Sequence, residues 1–167
     1  MKQWNQKIIY AIGGLQNVGY VTGEDVLIVL SLQGAGIIDC LSGARLARNN
    51  KENWWGKFDE KNATVTGFDF LSNLRIKTHG LFGGDSMYKR SLDGWKLSKK
   101  NSSSIFQFLK PKSSKREIVN LHSPNGRETK VVHDVGPCEL RAFGFSDTGK
   151  SFIIASTCEL VIYRRAN

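Results

Sequence analysis

Three histidines, His79, His122 and His133, are the side chains in this sequence best suited to proton transfer near neutral pH. Two histidines with a lysine can in principle cleave RNA without a metal ion, and a basic protein suits that substrate. No ordered motif surrounds the three residues, and each falls at the end of an expected strand. We therefore interpret them as structural or surface residues and predict that the protein is not an enzyme. A small metal-free nuclease is the alternative.

The three cysteines, Cys40, Cys138 and Cys158, are odd in number and widely spaced. No cysteine or histidine stands two to four residues from Cys138 or Cys158, so the pair spacing of a zinc site is missing. Their apolar neighbours favour small buried hydrophobic residues in a reducing compartment. We expect no bound metal.

Glycine-rich stretches at residues 13–14 and 80–84 do not open a phosphate-binding loop or a dinucleotide fingerprint. The lysine–serine ending and the following helix that such motifs require are missing. No nucleophile elbow of the Gly-X-Ser-X-Gly type occurs either. We interpret the glycines as turns and bulges and expect no cofactor.

A polar segment at residues 49–62 carries three large aromatic side chains, which is typical of a loop that contacts a partner protein. The alternative is that this loop folds back and buries its own aromatic rings. The predicted contact residues of the segment are Trp54, Trp55, Lys57, Phe58, Asp59 and Glu60.

A basic segment at residues 110–116 is the second candidate surface, with Lys96, Lys99 and Lys100 upstream of it. Lysine and arginine contacts to phosphates would make binding strongly dependent on salt. However, the sequence contains neither an aromatic-rich RNA-binding strand nor a recognition helix. A solvated basic loop is the alternative interpretation. The predicted contact residues here are Lys110, Lys112, Lys115 and Arg116.

The whole chain of 167 residues has a net charge of +9, from 24 lysines and arginines against 15 acidic residues. This charge favours polyanions or acidic proteins as partners. The first apolar stretch, residues 8–21, is interrupted by glycine, glutamine and asparagine and does not resemble a signal peptide. Since no window has the roughly 18 apolar residues of a membrane span, we predict a cytoplasmic protein that does not enter membranes. The sequence leaves the oligomeric state open.

The apolar residues come in short β-branched or aromatic runs, separated by glycine, asparagine, aspartate or serine about every ten residues. This pattern predicts an all-β domain. The continuous apolar run at residues 26–32 predicts an inner strand that is covered on both faces. The last segment predicts three strands in sequence, at residues 140–145, 150–156 and 159–165.

The same order of strands and turns recurs, and it resembles the blades of WD-repeat and related β-propellers. Hairpin turns at residues 42–43, 93–94 and 125–126 carry the resemblance, although the Trp-Asp dipeptide is absent. It implies a single domain of about four antiparallel meander units that form a small or partial propeller. The predicted units span residues 18–48, 64–99, 104–134 and 138–165. A spare strand at residues 7–12 is expected to join the last unit, and a twisted β-sandwich is the alternative.

In type, a small all-β chain without a catalytic motif resembles the immunity proteins encoded beside polymorphic bacterial toxins, including those of contact-dependent growth inhibition. The resemblance implies that the partner is a cognate toxin domain, which the protein neutralises by covering it. Nuclease toxins are usually basic, so a protein of this charge implies an acidic toxin or a local contact of mixed charge. An RNA- or DNA-binding module is the alternative.

Overall fold

The computed structural model describes residues 4, 6–50, 53–84, 87–102 and 116–166. Within these residues the chain folds into antiparallel β-sheets, and the helical segments are short 3₁₀ turns. The predicted all-β class is therefore confirmed. None of the described helices has the length and apolar character needed to cross a membrane.

The strands of the described residues are short, mostly three to seven residues. In chain order they are β1 Gln6–Ala11, β2 Leu15–Tyr20, β3 Val26–Ser31, β4 Gly34–Asp39, β5 Arg45–Asn49, β6 Phe58–Asp59, β7 Thr64–Thr66, β8 Arg75–Lys77, β9 His79–Gly80, β10 Lys96–Ser102, β11 Arg116–His122, β12 Thr129–Asp134, β13 Leu140–Phe145, β14 Ser151–Ser156 and β15 Glu159–Arg164. Two 3₁₀ helices, Trp54–Lys57 and Asp69–Leu71, lie in the connections.

These strands form four sheets, which we name A to D. Sheets B, C and D follow one another along the chain, and sheet A combines the last three strands with β1. Sheet B has the order β5-β4-β3-β2-β9, and sheet C has the order β6-β7-β8. Sheet D has the order β10-β11-β12, and sheet A has the order β1-β15-β14-β13. Except at β1 and β9, each sheet is a meander of strands that are adjacent in sequence.

The first strand completes the last sheet. β1 pairs with β15 along its whole length, from Gln6 opposite Arg164 to Ala11 opposite Glu159. The pairing covers an edge that β15 would otherwise expose. The expectation that the spare N-terminal strand joins the last unit is confirmed.

Among the described residues, three apolar cores join the four sheets. The first lies between sheets D and A, the second between A and B, and the third between B and C. Strand β3 shows how one sheet serves two cores, because Leu27 and Val29 enter the second core while Ile28 and Leu30 enter the third. The expectation that this run is an inner strand covered on both faces is confirmed.

Two glycines let backbones approach closely between sheets. A Cβ atom on Gly19 of β2 would stand 2.2 Å from the carbonyl oxygen of Lys77, and one on Gly144 of β13 would stand 2.4 Å from the Cβ of Met87. A larger residue at either position would push these segments apart. Strands β2 and β13 are thereby held against β8 and residues 87–88.

The predicted turn at residues 92–94 is present, because the amide of Gly94 donates to the carbonyl of Ser91 at 3.0 Å. It connects a short segment with an antiparallel bridge at Arg90 to the beginning of β10. β10 then pairs with β11 over seven residues, from Lys96 opposite His122 to Ser102 opposite Arg116. Residues 96–99, which the sequence pattern places at the end of the second unit, therefore share a sheet with the third.

The expectation for the cysteines is wrong for two of the three. Cys138 and Cys158 form a disulfide, with their Cα atoms 6.1 Å apart, and Cys158 is exposed. Only Cys40 is a buried free cysteine as expected. The sequence interpretation failed because the partners are 20 residues apart in sequence and meet only through the pairing of β13 with β14.

Candidate functional site

The aromatic segment is organised by Trp54, which starts the 3₁₀ helix Trp54–Lys57. Asn53 caps this helix, and its side-chain oxygen accepts a hydrogen bond from the Trp55 amide at 3.1 Å. The Trp54 ring is only 6% exposed and packs in the third core. Its indole Nε1 donates to the carbonyl oxygen of Ser31 at 2.8 Å, so the segment is fixed to the end of β3.

Three half-buried rings surround Trp54, and we call these four residues the aromatic cluster. Trp55 stacks on Trp54 with 3.8 Å between ring centroids, and Phe58 contacts both rings edge-on. Phe82 completes the cluster, at 5.6 Å from Trp55 and 5.3 Å from Phe58. The cluster therefore presents aromatic surface in fixed orientations.

Phe82 lies 24 residues beyond Phe58 in sequence, and its position depends on a buried side chain of sheet B. The amide of Asn17 donates to the carbonyl oxygen of Phe82 at 2.8 Å and accepts from the Phe82 amide nitrogen at 3.3 Å. Asn17 also donates to the hydroxyl of Thr78 at 3.0 Å. Sequence analysis missed Phe82, since no local spacing relates it to the tryptophans.

Charged side chains of both signs flank the cluster. Asp59 accepts two hydrogen bonds from Asn62, at 2.7 and 3.1 Å, and pairs with Arg75 at 3.3 Å. The bonds from Asn62, with a smaller contribution from Arg75, lower the pKa of Asp59. Lys57 and Glu60 are exposed beside it. The surface around the rings is therefore locally mixed in charge.

The expectation that Trp54 is exposed is wrong. For this residue the alternative holds, in which the loop folds back, here onto sheets C and B, and buries its own aromatic ring. Trp55 and Phe58 are half-buried and keep part of their surface open. Their role in partner binding stays a prediction. Of the three predicted aromatic anchors, Trp55 and Phe58 remain. The structure adds Phe82 to them.

The second candidate surface lies mostly outside the described residues. Lys110, Lys112 and Lys115 belong to that part of the chain, and Arg116 begins β11 opposite Ser102. Upstream, the cross-strand register places Lys96 and Lys100 on one face of sheet D and Lys99 on the other. Lys99 pairs with Glu117 at 2.9 Å.

The histidines lie in different places. His79 is in β9 of sheet B, while the other two belong to sheet D. His122 bridges the hydroxyls of Ser98 at 2.7 Å and Thr129 at 2.9 Å. His133 is buried against sheet A, with its Nε2 3.0 Å from the Glu159 carboxylate. Burial lowers the pKa of His133, and Glu159 opposes this shift in part.

A cleft of about 350 Å³ opens where β2, β8, β9, residues 87–88 and the end of β13 come together. Its walls combine apolar and polar side chains: Tyr20, Thr22, Lys77, His79, Met87, Tyr88, Phe145 and Asp147. Met87 and Phe145 are buried, while Tyr88 is exposed. Among the described residues no group of three histidines, cysteines, aspartates or glutamates lies close enough to hold a metal ion.

A buried polar network includes Tyr20 from the wall of this cleft. The carboxylate of Asp25, before β3, accepts hydrogen bonds from Ser146 at 2.8 Å, Thr148 at 2.6 Å and Ser151 at 2.5 Å. The hydroxyls of Tyr20 and Ser151 lie 3.0 Å apart, and burial raises the pKa of Tyr20 well above its usual range. The network joins sheet B to sheet A, and sequence analysis did not identify it.

No protein-family model matches this chain, and no curated protein matches it in sequence. The candidate site therefore rests on the geometry described above.

Proposed function

We propose that this protein is a non-catalytic binding protein that neutralises a cognate toxin domain by covering it, as bacterial immunity proteins do. The observation that carries the proposal is the aromatic cluster, in which buried Trp54 holds Trp55 and Phe58, and these two rings pack against Phe82. Aromatic residues of this kind dominate the binding energy at protein interfaces.

The cluster is suited to binding because its rings are already ordered in the free protein. Immobilising a flexible side chain on binding costs about 0.5–1.5 kcal/mol, and rings already fixed by packing avoid much of this loss. The stacking of Trp55 on Trp54 and the edge contacts of Phe58 provide that packing. The exposed parts of the rings are then available as rigid anchors.

The charges around the cluster fit a partner of mixed surface. Lys57 and Arg75 supply positive charge, and Asp59 and Glu60 supply negative charge. The chain as a whole carries +9, so its long-range field favours an acidic toxin domain during approach. Once the partner is docked, the mixed rim sets orientation more than affinity.

The test is a titration of the protein against the toxin domain encoded beside its gene. We expect Trp55→Ala to weaken binding roughly 30-fold, the equivalent of about 2 kcal/mol for an interface anchor. Val131→Ala is the matched control, because Val131 is an exposed apolar residue of sheet D and does not belong to the aromatic cluster. Equal affinities for both variants and the unchanged protein would refute this site.

The same titration distinguishes the nucleic-acid alternative. A module that binds RNA or DNA would lose affinity when Lys96 and Lys100 are changed to glutamine, and its affinity for tRNA would fall steeply with salt. Binding to tRNA alone, sensitive to those lysine changes and indifferent to Trp55, would contradict the immunity function.

We propose further that the four sheets are arranged as the blades of a small propeller. The pairing of β1 with β15 supports this arrangement, since closed propellers often complete the last blade with an N-terminal strand. A closed ring requires sheet C to approach sheet D, a contact that a stack of sheets lacks. Spin labels at Thr66 in sheet C and Lys96 in sheet D measure the distance between these two sheets. A distance larger than the one between the packed sheets A and B excludes the ring.

We retain the cytoplasm as the proposed location, and the Cys138–Cys158 disulfide is the feature that opposes it. Disulfides persist in oxidising compartments and are rare where cellular thiols are reduced. Alkylating the free thiols during cell lysis, before air oxidation, decides the point. If both cysteines are alkylated in protein from whole cells, the location stands, and if the bond is intact the protein belongs to an oxidising compartment.

A further inference from the structure

The Cys138–Cys158 disulfide is accessible from solvent. Cys158 is exposed and Cys138 is half-buried, whereas Cys40 lies in the second core. Thiol–disulfide exchange requires an attacking thiolate to reach one of the sulfurs, so access decides which disulfide can react. Burial raises the pKa of Cys40 and keeps its thiol neutral, which makes that residue inert to exchange.

The exposed cysteine lies in a turn that binds the segment directly after the first strand. The carbonyl oxygen of Cys158 accepts a hydrogen bond from the Ile12 amide at 2.9 Å. The carbonyl oxygen of Thr157 accepts from the amides of Gly14 at 2.9 Å and Leu15 at 3.3 Å. The turn between β14 and β15 therefore fixes the connection between β1 and β2.

The disulfide fastens this turn to the connection between β12 and β13. Cys138 lies in the connection between β12 of sheet D and β13 of sheet A. One backbone hydrogen bond supports the same junction, from the Thr157 amide to the carbonyl oxygen of Glu139 at 2.9 Å. The turn at residues 157–158 thus contacts both the connection between β1 and β2 and the connection between β12 and β13. The disulfide is the covalent bond among these contacts.

We propose that Cys158 is a modification site for small thiols of the glutathione class, and that exchange there loosens the connection between β1 and β2. The thiolate of the small thiol attacks the Cys158 sulfur, and the bond to Cys138 breaks. The electron pair leaves with the Cys138 sulfur, which takes up a proton from water. A second small thiol then attacks the mixed disulfide, which releases reduced Cys158 and the disulfide of the two small thiols.

A glutathione titration of the folded protein tests the site. After quenching by acid and alkylation, peptide mass spectrometry identifies the state of each cysteine. We expect mixed disulfide on Cys158, free thiol on Cys138 and no adduct on Cys40. Adducts mainly on Cys138, or a disulfide that opens only at denaturant concentrations that unfold the protein, would overturn the proposal.

Two single variants provide a matched comparison that does not depend on the disulfide. Cys138→Ala leaves Cys158 as a free thiol in its exposed position, and Cys158→Ala leaves Cys138 in its half-buried position. We expect oxidised glutathione to modify the first variant several times faster than the second. Equal rates in two folded variants would contradict the assigned point of attack.

The effect on the connection between β1 and β2 is tested by hydrogen exchange in the oxidised and reduced full-length protein. We expect the amides of Ile12, Gly14 and Leu15 to exchange faster after reduction, while the central β3 amide of Ile28 keeps its protection. We also expect the melting temperature to fall by roughly 5–10 °C, as for loss of a disulfide that closes a loop of this length. Unchanged exchange at the three amides with the disulfide open would show that the bond does not hold this connection in place.

Discussion

The carboxylate of Asp25 accepts a hydrogen bond from the hydroxyl of Ser151 at 2.5 Å, across 126 residues of sequence. Asp25 ends the turn between β2 and β3, and Ser151 begins β14, so this contact joins sheet B to sheet A. Both residues are buried. Ser146 and Thr148 also donate hydrogen bonds to this carboxylate.

Replacing Asp25 should therefore weaken the junction between the two sheets. In Asp25→Ala three hydroxyls lose their common acceptor, and a buried unsatisfied group costs about 1–3 kcal/mol. The remaining bonds of Ser146 to the Ser151 carbonyl and of Ser151 to Tyr20 offset part of this loss. We expect the free energy of unfolding to fall by about 3 kcal/mol in urea denaturation. Glu24→Gln is the control, because Glu24 is the exposed neighbour. A loss in the control as large as that in Asp25→Ala would show that general charge, and not the network, is responsible.

His133 should make stability depend on pH. Burial lowers its pKa in the folded protein, and Glu159 and Asp134 raise it in part while Lys7 lowers it. The unfolded chain, with a histidine pKa of about 6.5, therefore takes up the proton first as the pH falls. We expect stability to be greatest above about pH 6.5 and to decrease from there toward pH 5.5.

The measurement is urea denaturation at several pH values between 8 and 5.5, with His133→Gln as the comparison. The variant should show a flatter profile over this range because the titrating group is gone. His122→Gln is the matched control, since His122 lies on the other face of sheet D. A profile unchanged in His133→Gln, or flattened equally by the control, would disprove the assignment.

Strand β1 offers a comparison between adjacent residues. Ile8 packs against the second core, while Ile9 points to the other side and is 54% exposed. Removing most of a packed isoleucine side chain costs about 2 kcal/mol or more, whereas an exposed position costs little. We expect thermal unfolding to show a clear loss for Ile8→Ala and a small one for Ile9→Ala. Equal losses would mean that β1 does not contribute its inner face to the core.

The strand pattern was predictable because its signals are local. The apolar run of β3 and the turns at Gly43 and Gly94 depend on residues close together in sequence, and the structure has them where the pattern places them. The N-terminal strand was also predictable, since an unpaired apolar strand needs an edge to join. The arrangement of the sheets is harder, because it depends on which faces share a core.

The site contacts were not predictable because they join distant residues. Asn17 positions Phe82 over 65 residues, and nothing near either one indicates this. Cys138 and Cys158 likewise meet only after β13 and β14 pair. Trp54 was expected at the surface because its neighbours in sequence are polar, but the indole donor finds the carbonyl of Ser31 at the end of a buried strand.

The adjacent residues Trp54 and Trp55 should separate stability from binding. Trp54 packs in the third core and its indole donates to Ser31, so Trp54→Ala removes both core packing and a buried hydrogen bond. Large aromatic to alanine changes in cores cost about 3–5 kcal/mol. We expect a large loss in the free energy of unfolding for this variant, and a much smaller one for Trp55→Ala, whose ring is half-buried.

Affinity for the toxin domain should rank the two residues in the opposite order, with Trp55 more important than Trp54, when only folded protein is compared. Under conditions where both variants are folded, Trp55→Ala removes a half-buried anchor. Trp54→Phe keeps an aromatic ring beneath the cluster, and it removes the indole donor together with part of the ring volume. We expect Trp54→Phe to bind the toxin domain nearly as well as the unchanged protein while melting at a lower temperature, because the loss falls on the buried bond to Ser31. If Trp54→Phe loses as much affinity as Trp55→Ala, the buried ring takes part in the contact and the division between support and anchor is wrong.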